Sequence, residues 1–395
     1  MRQTDIVVVG GGLAGLTAAA LFGSRGFEVC CCDLRGESEP GISDNRVTAL
    51  LGQSIRTFRD AGLWHRIERF AVPLSRLRIA LAAPGIDAGA RTTEFDAGMI
   101  GASEFGFAVP NREWRHALAD VLGSLANVRM LSGIGARSAQ PRLTETIVSL
   151  SNGARIRSRL VVAADGSRSA LREQAGISTR RFDPGQNALS FDLTHEIPHC
   201  DSTLEIHRSG GPFTLVPLPG DENSHASAAI WIENSVNSTR LAKLSDHDFT
   251  QAVQERSLGL YGKLELRNGR KIWPVSVQVA ERLSGDRMAL IGEAAHVVPP
   301  IGAQGLNMTI ADISTLLELA VGDSDLGGCE MLASYNRRRM RRILPVIAAV
   351  TALNLTSMPG GKFCASSRQA GLTLIHGIPA LRDRVIGIGM GGTFP

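Results

Sequence analysis

The stretch that most constrains this chain lies at its start. Residues 6–9 are Ile-Val-Val-Val, a β-branched run that stops at glycine. Gly10, Gly12 and Gly15 follow in the spacing G-x-G-x-x-G, and Leu13 and Ala14 open an alanine-rich segment, residues 13–22, with strong helix propensity. A second apolar run, residues 27–32, ends at Asp33, 18 residues past Gly15. Strand, glycine turn, helix, strand and acid therefore occur in that order. The first glycine permits a tight turn, the second lets backbone approach a pyrophosphate, and the third lets helix pack on strand. Phosphates then meet free N–H groups at a helix N-terminus. An acid about 20 residues on accepts a bond from a ribose hydroxyl. Asp33, rather than a basic residue, points to a free 2′-hydroxyl, hence FAD or NAD and not NADP at this position.

With 395 residues the chain has two to three domains' worth of length at about 150 residues each. Apolar residues make up 44% and charged residues 20%, which excludes a disordered or fibrous chain. A net charge of +4 gives no argument for nucleic acid. Of the 42 basic residues only Lys243, Lys263, Lys271 and Lys362 are lysines, an imbalance that reads as coding bias. Cys30, Cys31 and Cys32 are adjacent and no C-x-x-C pair exists, so the thiols are expected reduced in a cytosolic protein, with the triplet buried as small hydrophobes. The N-terminal apolar run is too short for a signal peptide. The longest late apolar run, residues 343–355, contains Pro345 and Asn354 and falls short of the roughly 18 residues of a span. The expected location is cytoplasmic, with peripheral contact at the inner membrane.

Along the chain, residues 45–64 read as a helix, 74–110 as extended, and 113–125 as an amphipathic helix. Residues 128–131 and 147–150 alternate like strands, and 159–164 form a buried-strand run that ends at Asp165-Gly166. From 183 to 273 the character changes to strands (191–194, 204–207, 213–217, 226–233) between Gly, Pro and Asp turns. Residues 287–292 read as another buried strand, 306–321 as a long helix, and the chain from 331 as mostly helical. The expected fold class is α/β: a Rossmann-like domain (1–75, 100–182, 276–330), an interleaved sheet-rich substrate domain (76–99, 183–275) and a helical C-terminal segment (331–395).

Two further motifs carry chemistry. One is residues 161–169, Val-Val-Ala-Ala-Asp-Gly-Ser-Arg-Ser, with Arg172 beyond. The other begins at Gly292-Glu293-Ala294-Ala295-His296 and continues through Pro299-Pro300-Ile301-Gly302-Ala303-Gln304-Gly305-Leu306-Asn307. The second is a strand ending in an acid, then a Gly/Pro loop opening a helix. Its acid can hold polyol hydroxyls. Its glycines let backbone N–H groups approach a flat ring, and the helix N-terminus stabilises negative charge there.

With these three motifs in this order, the chain resembles the class A flavoprotein monooxygenases of the para-hydroxybenzoate hydroxylase type, and within them the ubiquinone-biosynthesis hydroxylases. The likeness extends through Asp44-x-Arg46, Gly62-Leu63-Trp64, Phe95-Asp96-Ala97, residues 106–111, residues 211–218, residues 368–372 and Met390-Gly391. It implies that Gly10, Gly12, Leu13, Ala14, Gly15 and Asp33 bind the ADP half of FAD. Arg46 and Arg112 match basic positions near the pyrophosphate and ribityl chain. Asp165 and Gly166 match a motif that contacts FAD and NAD(P)H. Gly292 and Glu293 match the ribityl site, and Pro300, Gly302, Gln304, Gly305, Leu306 and Asn307 the isoalloxazine loop. The family has Asp where this chain has Glu293, one methylene longer. The loop at 299–305 resembles that of para-hydroxybenzoate hydroxylase as much as that of the quinone hydroxylases.

The implied activity is aromatic-ring hydroxylation with NAD(P)H and O2 through oxygen addition at flavin C4a, on a polyprenylated phenol of ubiquinone biosynthesis. Two alternatives stay open: a hydroxylase of a small aromatic acid, which needs a cation near the substrate carboxylate, and a non-catalytic FAD-bound subunit of a quinone-synthesis complex. There is no second dinucleotide fingerprint, so NAD(P)H is expected to bind transiently between domains. No side chain is assigned a catalytic role, because the cofactor carries the chemistry.

Three patterns point elsewhere. His195-Glu196-Ile197-Pro198-His199 satisfies H-E-x-x-H, but zinc chemistry needs both histidines on one helix face and Pro198 opposes that, so a strand-end turn without metal is expected. Arg337, Arg338, Arg339, Arg341 and Arg342 form a basic cluster before residues 343–355, which reads as a solvated face or as an attraction to anionic lipid. The run Gly387-x-Gly389-x-Gly391-Gly392 has no helix or acid after it and reads as a loose tail.

Overall fold

A computed structural model describes residues 2–35, 46–81, 91–208, 210–221, 224–358, 376–378 and 383. Asp44 and the segments 368–372 and 387–392 lie outside the described residues.

The described residues build two eight-stranded sheets and two three-stranded ones. In the first large sheet, strands Met288–Leu290, Arg155–Ala163, Arg2–Val9, Val29–Asp33 and Val128–Ser132 run parallel side by side. Ile6 to Val9, Val29 to Cys32 and Leu160 to Ala163 are all buried. Parallel strands covered on both faces read as continuous apolar runs, which is why these segments show no alternation. The helix Leu13–Ser24 is mostly apolar, and its residues 15–23 are buried in this core. The cysteine triplet lies in strand Val29–Asp33. Burial pushes the Cys30 thiol up to about 11 and Cys32 up to about 12, so both pack as hydrophobes.

The second large sheet is antiparallel except where Ser202–Arg208 meets Arg76–Leu81. Its central strands are Gln186–His195, Ser224–Asn234 and Gly211–Asp221. One face, with Phe191, Phe213, Leu215 and Trp231, is closed by the helices Ser235–Ala242 and Asp246–Arg256. Phe191 meets Phe249 edge-on at 4.9 Å, and Phe213 meets Trp231 likewise at 5.8 Å.

Three local expectations change. Residues 45–64 are not one helix: Val47–Leu51 is a strand paired with Gly106–Pro110, followed by the helices Gly52–Asp60 and Trp64–Glu68. The apolar positions fit a helical period, yet cross-strand pairing takes the first of them. A strand at Ala136–Pro141, half exposed and ending in proline, was not expected from the sequence. Arg339 leaves the solvated cluster: it is buried on the helix Cys329–Ser357, whereas Arg337, Arg338, Arg341 and Arg342 are exposed.

Candidate functional site

Strand register brings the three motifs together. Val9 pairs with Ala163, and Ala163 pairs with Leu290. Gly10, Asp165 and Gly292 therefore leave the carboxyl ends of three adjacent parallel strands, the edge at which such sheets bind ligands.

Gly10 has φ +111, and a Cβ there would run into the Ala164 carbonyl. A Cβ at Gly15 would run into the Gly10 carbonyl, so helix Leu13–Ser24 rests directly on the turn. Gly12 differs: a Cβ there meets nothing within 4 Å. It is the N-cap of that helix, and as a glycine it brings no side chain to cap the first-turn amides. Asp33 stands beside this turn, its Oδ2 2.5 Å from where a Gly11 Cβ would be. Leu13 and Ala14 are half-buried on the same first turn.

Asp165 and Gly166 follow at the next strand end. Asp165 Oδ2 accepts from the Leu171 amide at 3.3 Å, and its Oδ1 is buried without a partner. Arg172, itself buried, donates to Ser167 O and to Ala294 O, each at 3.0 Å. The second motif is thereby tied to the third. In the third, Glu293 is exposed while Gly292, Ala294, Ala295 and His296 are buried.

The loop 299–303 ends with Gly302 and Ala303 in left-handed backbone, φ +61 and +56. It opens the helix Gln304–Ala320, again without a side-chain cap. Pro300 is half-buried, Gly302 and Gly305 are exposed, and Gln304 Nε2 donates to Gly302 O at 2.8 Å. Leu306 packs on the main core. Asn307 serves the protein: Oδ1 accepts from Leu51 N at 3.0 Å and Ser54 Oγ at 2.6 Å, and Nδ2 donates to Ala49 O and Ala303 O, both 2.7 Å. Its side chain is saturated, so it fixes the loop against strand Val47–Leu51 and leaves only backbone to a cofactor.

Arg112 is exposed at the start of helix Asn111–Ser124. The guanidinium of Arg46 lies 5.6 Å from the centre of the Trp273 ring. The structure thus brings the glycine turn, Asp33, Asp165, Gly166, Glu293 and the 300–307 loop to one sheet edge. The buried ties, Arg172 apart, leave no mark in the sequence because they join elements far apart in the chain.

The residues fit FAD on three observations: two uncapped helix N-termini, an open cradle at Gly12, and the orphaned Oδ1 of Asp165 in the same edge. His195 ends its strand, with Nδ1 2.8 Å from Ile197 O and Nε2 3.0 Å from Ser227 Oγ. Both ring nitrogens of the H-E-x-x-H histidine are occupied by protein, and the residue is not on a helix.

Fold and sheet edge together define a flavoprotein of the dinucleotide-binding type. The chain matches the family described as FAD binding domain over residues 3–350 and belongs to it. It is an FAD-dependent monooxygenase. The ubiquinone hydroxylase UbiL of Rhodospirillum rubrum is 31% identical over 361 residues, covering 89% of this chain and 81% of that one. The 3-demethoxyubiquinol 3-hydroxylase of Escherichia coli is 26% identical over 356 residues, covering 87% and 86%. Among solved structures, p-nitrophenol 4-monooxygenase PnpA of Pseudomonas putida superposes with a TM-score of 0.81 over the whole of both chains at 18% identity, a likeness of fold.

Proposed function

We propose that this chain hydroxylates the ring of a polyprenylated phenol in ubiquinone biosynthesis, with FAD, NAD(P)H and O2. The observation that carries the substrate class is the second face of the antiparallel sheet. Val216, Leu218, Ala226 and Ala228 pack toward Val47, and Ile230 and Ile232 toward Ile301 of the cofactor loop. A ring held between that face and the loop meets small apolar side chains, which suit a phenol with a hydrocarbon tail. The relatives named above carry ubiquinone hydroxylase names, which supports the same reading.

In this reading the Gly10–Gly15 turn and its helix hold the diphosphate, Asp33 a ribose hydroxyl, and Glu293 the ribityl chain. Bound FAD supplies reduction by NAD(P)H and the activation of O2. The balance is one ring C–H, O2, NAD(P)H and a proton giving one C–OH, water and NAD(P)+. The chain's own contribution is to orient the ring, exclude water with the apolar face, and place the N-terminus of helix Gln304–Ala320 where negative charge develops. The domain division in this reading is 1–75, 100–182 and 276–330 for the cofactor, 76–99 and 183–275 for the substrate, and 331–395 as a C-terminal segment.

The finer partner is an anionic lipid surface. On helix Cys329–Ser357 the exposed Arg337, Arg341 and Arg342 precede the exposed Leu344, Leu353 and Leu355. Arginines near such a surface contribute about 1 kcal/mol each. Among the described residues no helix is long and apolar enough to cross a membrane.

Anaerobic stopped-flow reduction tests the function. NADPH should bleach the flavin faster with a prenylated phenol present than without. Bound flavin that never bleaches with either nicotinamide would instead indicate a scaffold or a separate reductase.

A further inference from the structure

We infer that Asp312 is the positioning residue of the Glu293 loop, and that the C-terminal helix joins the cofactor site through it. This rests on the reading that Glu293 faces FAD.

Asp312 lies on helix Gln304–Ala320 and is 0% exposed. Its Oδ2 is 2.7 Å from His296 Nε2 and 3.3 Å from the Gly292 amide. One carboxylate oxygen therefore holds both ends of the loop 292–296, and Glu293 is the residue of that loop left exposed. Arg172 holds the middle through Ala294 O at 3.0 Å. The other oxygen, Oδ1, accepts from Arg339 Nε at 2.7 Å, and Arg339 also donates to Met308 O at 3.0 Å. Tyr335, one turn earlier on the same helix, donates to Leu290 O at 2.7 Å and so fixes the strand end that enters the loop. His296 and Arg339 are 2% and 3% exposed.

A buried ionic chain is poor as a device for stability alone, because desolvation offsets the attraction. Burial by itself raises such a carboxyl. The His296 and Arg339 contacts outweigh it and hold Asp312 below the usual carboxylate range. What the chain does supply is geometry. It fixes a short irregular loop at two points and leaves one acid pointing outward. At metal sites, removing the groups that orient ligand side chains lowers affinity by about 10–100-fold, which sets the scale expected here.

The test titrates apoprotein with FAD by flavin fluorescence, with the melting temperature of each apoprotein measured alongside. His296→Leu removes the shorter of Asp312's two links to the loop, leaving the one to the Gly292 amide, while Arg339 still pairs with Asp312. His296→Gln restores a donor. Tyr335→Phe removes one hydroxyl with little change in packing and serves where His296→Leu does not fold. The expected results are an FAD affinity lowered about tenfold or more in His296→Leu, largely recovered in His296→Gln, and lowered about threefold in Tyr335→Phe. The bound-flavin visible spectrum should shift in His296→Leu and return in His296→Gln. If all three bind FAD as wild type while Glu293→Ala does not, the proposal is overturned and the site reading stands. If Glu293→Ala also binds as wild type, the site reading falls and takes the proposal with it.

Discussion

In the parallel sheet, the loops at the cofactor edge are held from behind by buried charges: Arg172 on Ala294, and Asp312 between Gly292, His296 and Arg339. In the antiparallel sheet, the face turned toward the same loops is held mainly by apolar contact, Val216 and Ala228 on one part and Ile232 on another, with Gln186 accepting from Asn354 of the C-terminal helix at 2.7 Å. A diphosphate and a polyol present fixed polar atoms and need loops that do not move. A phenol with a hydrocarbon tail presents few, and size and shape suffice to select it. Changes in the first region should act on cofactor loading, and changes in the second on turnover with loading intact.

The largest expected effect is at Gly12. Its surroundings are open, so Gly12→Val has room in the apoprotein and meets the pyrophosphate only when FAD arrives. Purified Gly12→Val should be folded by circular dichroism and colourless. Stoichiometric FAD in that variant would count against the whole edge as the cofactor site.

Next is a pair on one helix. Arg339→Ala strands the Asp312 carboxylate and should cost about 3–5 kcal/mol. Arg341→Ala removes an exposed charge and should stay within about 0.5 kcal/mol. Chemical denaturation measures both. Near-equal losses would mean that the buried chain does not hold the two helices together. The same Arg341, changed with Arg337 and Arg342 to Gln, should reduce pelleting with anionic vesicles, and unchanged pelleting would remove the lipid surface from the proposal.

The helix Cys329–Ser357 also shows what the sequence conceals. Five arginines in six positions look like one charged face. Only the partner at Asp312, 27 residues earlier, makes Arg339 different. The glycine turn and Asp33 were legible because each step of that motif is local. The fold class was legible because buried parallel strands are apolar throughout. The strand at Val47–Leu51 was not, since its partner is Gly106–Pro110 and its apolar spacing fits a helix equally well. Nor was the saturation of Asn307, whose four bonds reach back to residues 49–54 and to Ala303.

Within the antiparallel sheet, neighbouring residues should separate stability from function. Leu215 is buried among the aromatics of the helix-covered face, and Leu215→Ala should cost about 2–5 kcal/mol. Val216 faces the other way. Val216→Phe should overfill its contact with Leu74 and Ala108, displace the substrate-side face and lower kcat/KM for the prenylated phenol, with bound FAD unchanged. Loss of FAD in Val216→Phe would break the separation between the two regions.

The smallest effect is the response to acid, and it should fall on the two sheets at different pH. Burial lowers His195, at the end of an antiparallel strand, and His199, just beyond it, below the ordinary histidine value. Their neutral forms are favoured in the folded state, so the unfolded state binds more protons once pH drops below about 6.5. Stability from these groups is full above that pH and is lost as pH falls toward their folded values. Asp192, raised by burial, works the other way and adds stability as pH falls through its folded value toward about 3.9. In the parallel sheet Asp312 is lowered instead, so its contribution is present above about pH 3.9 and fades only below it. Amide hydrogen exchange between pH 7 and 5, corrected for intrinsic rates, should therefore show strand Gln186–His195 losing protection while Arg2–Val9 holds. Equal loss in both strands would mean that the sheets open as one cooperative unit, with the ionic chain at Asp312 binding the cofactor half no more tightly than apolar contact binds the other.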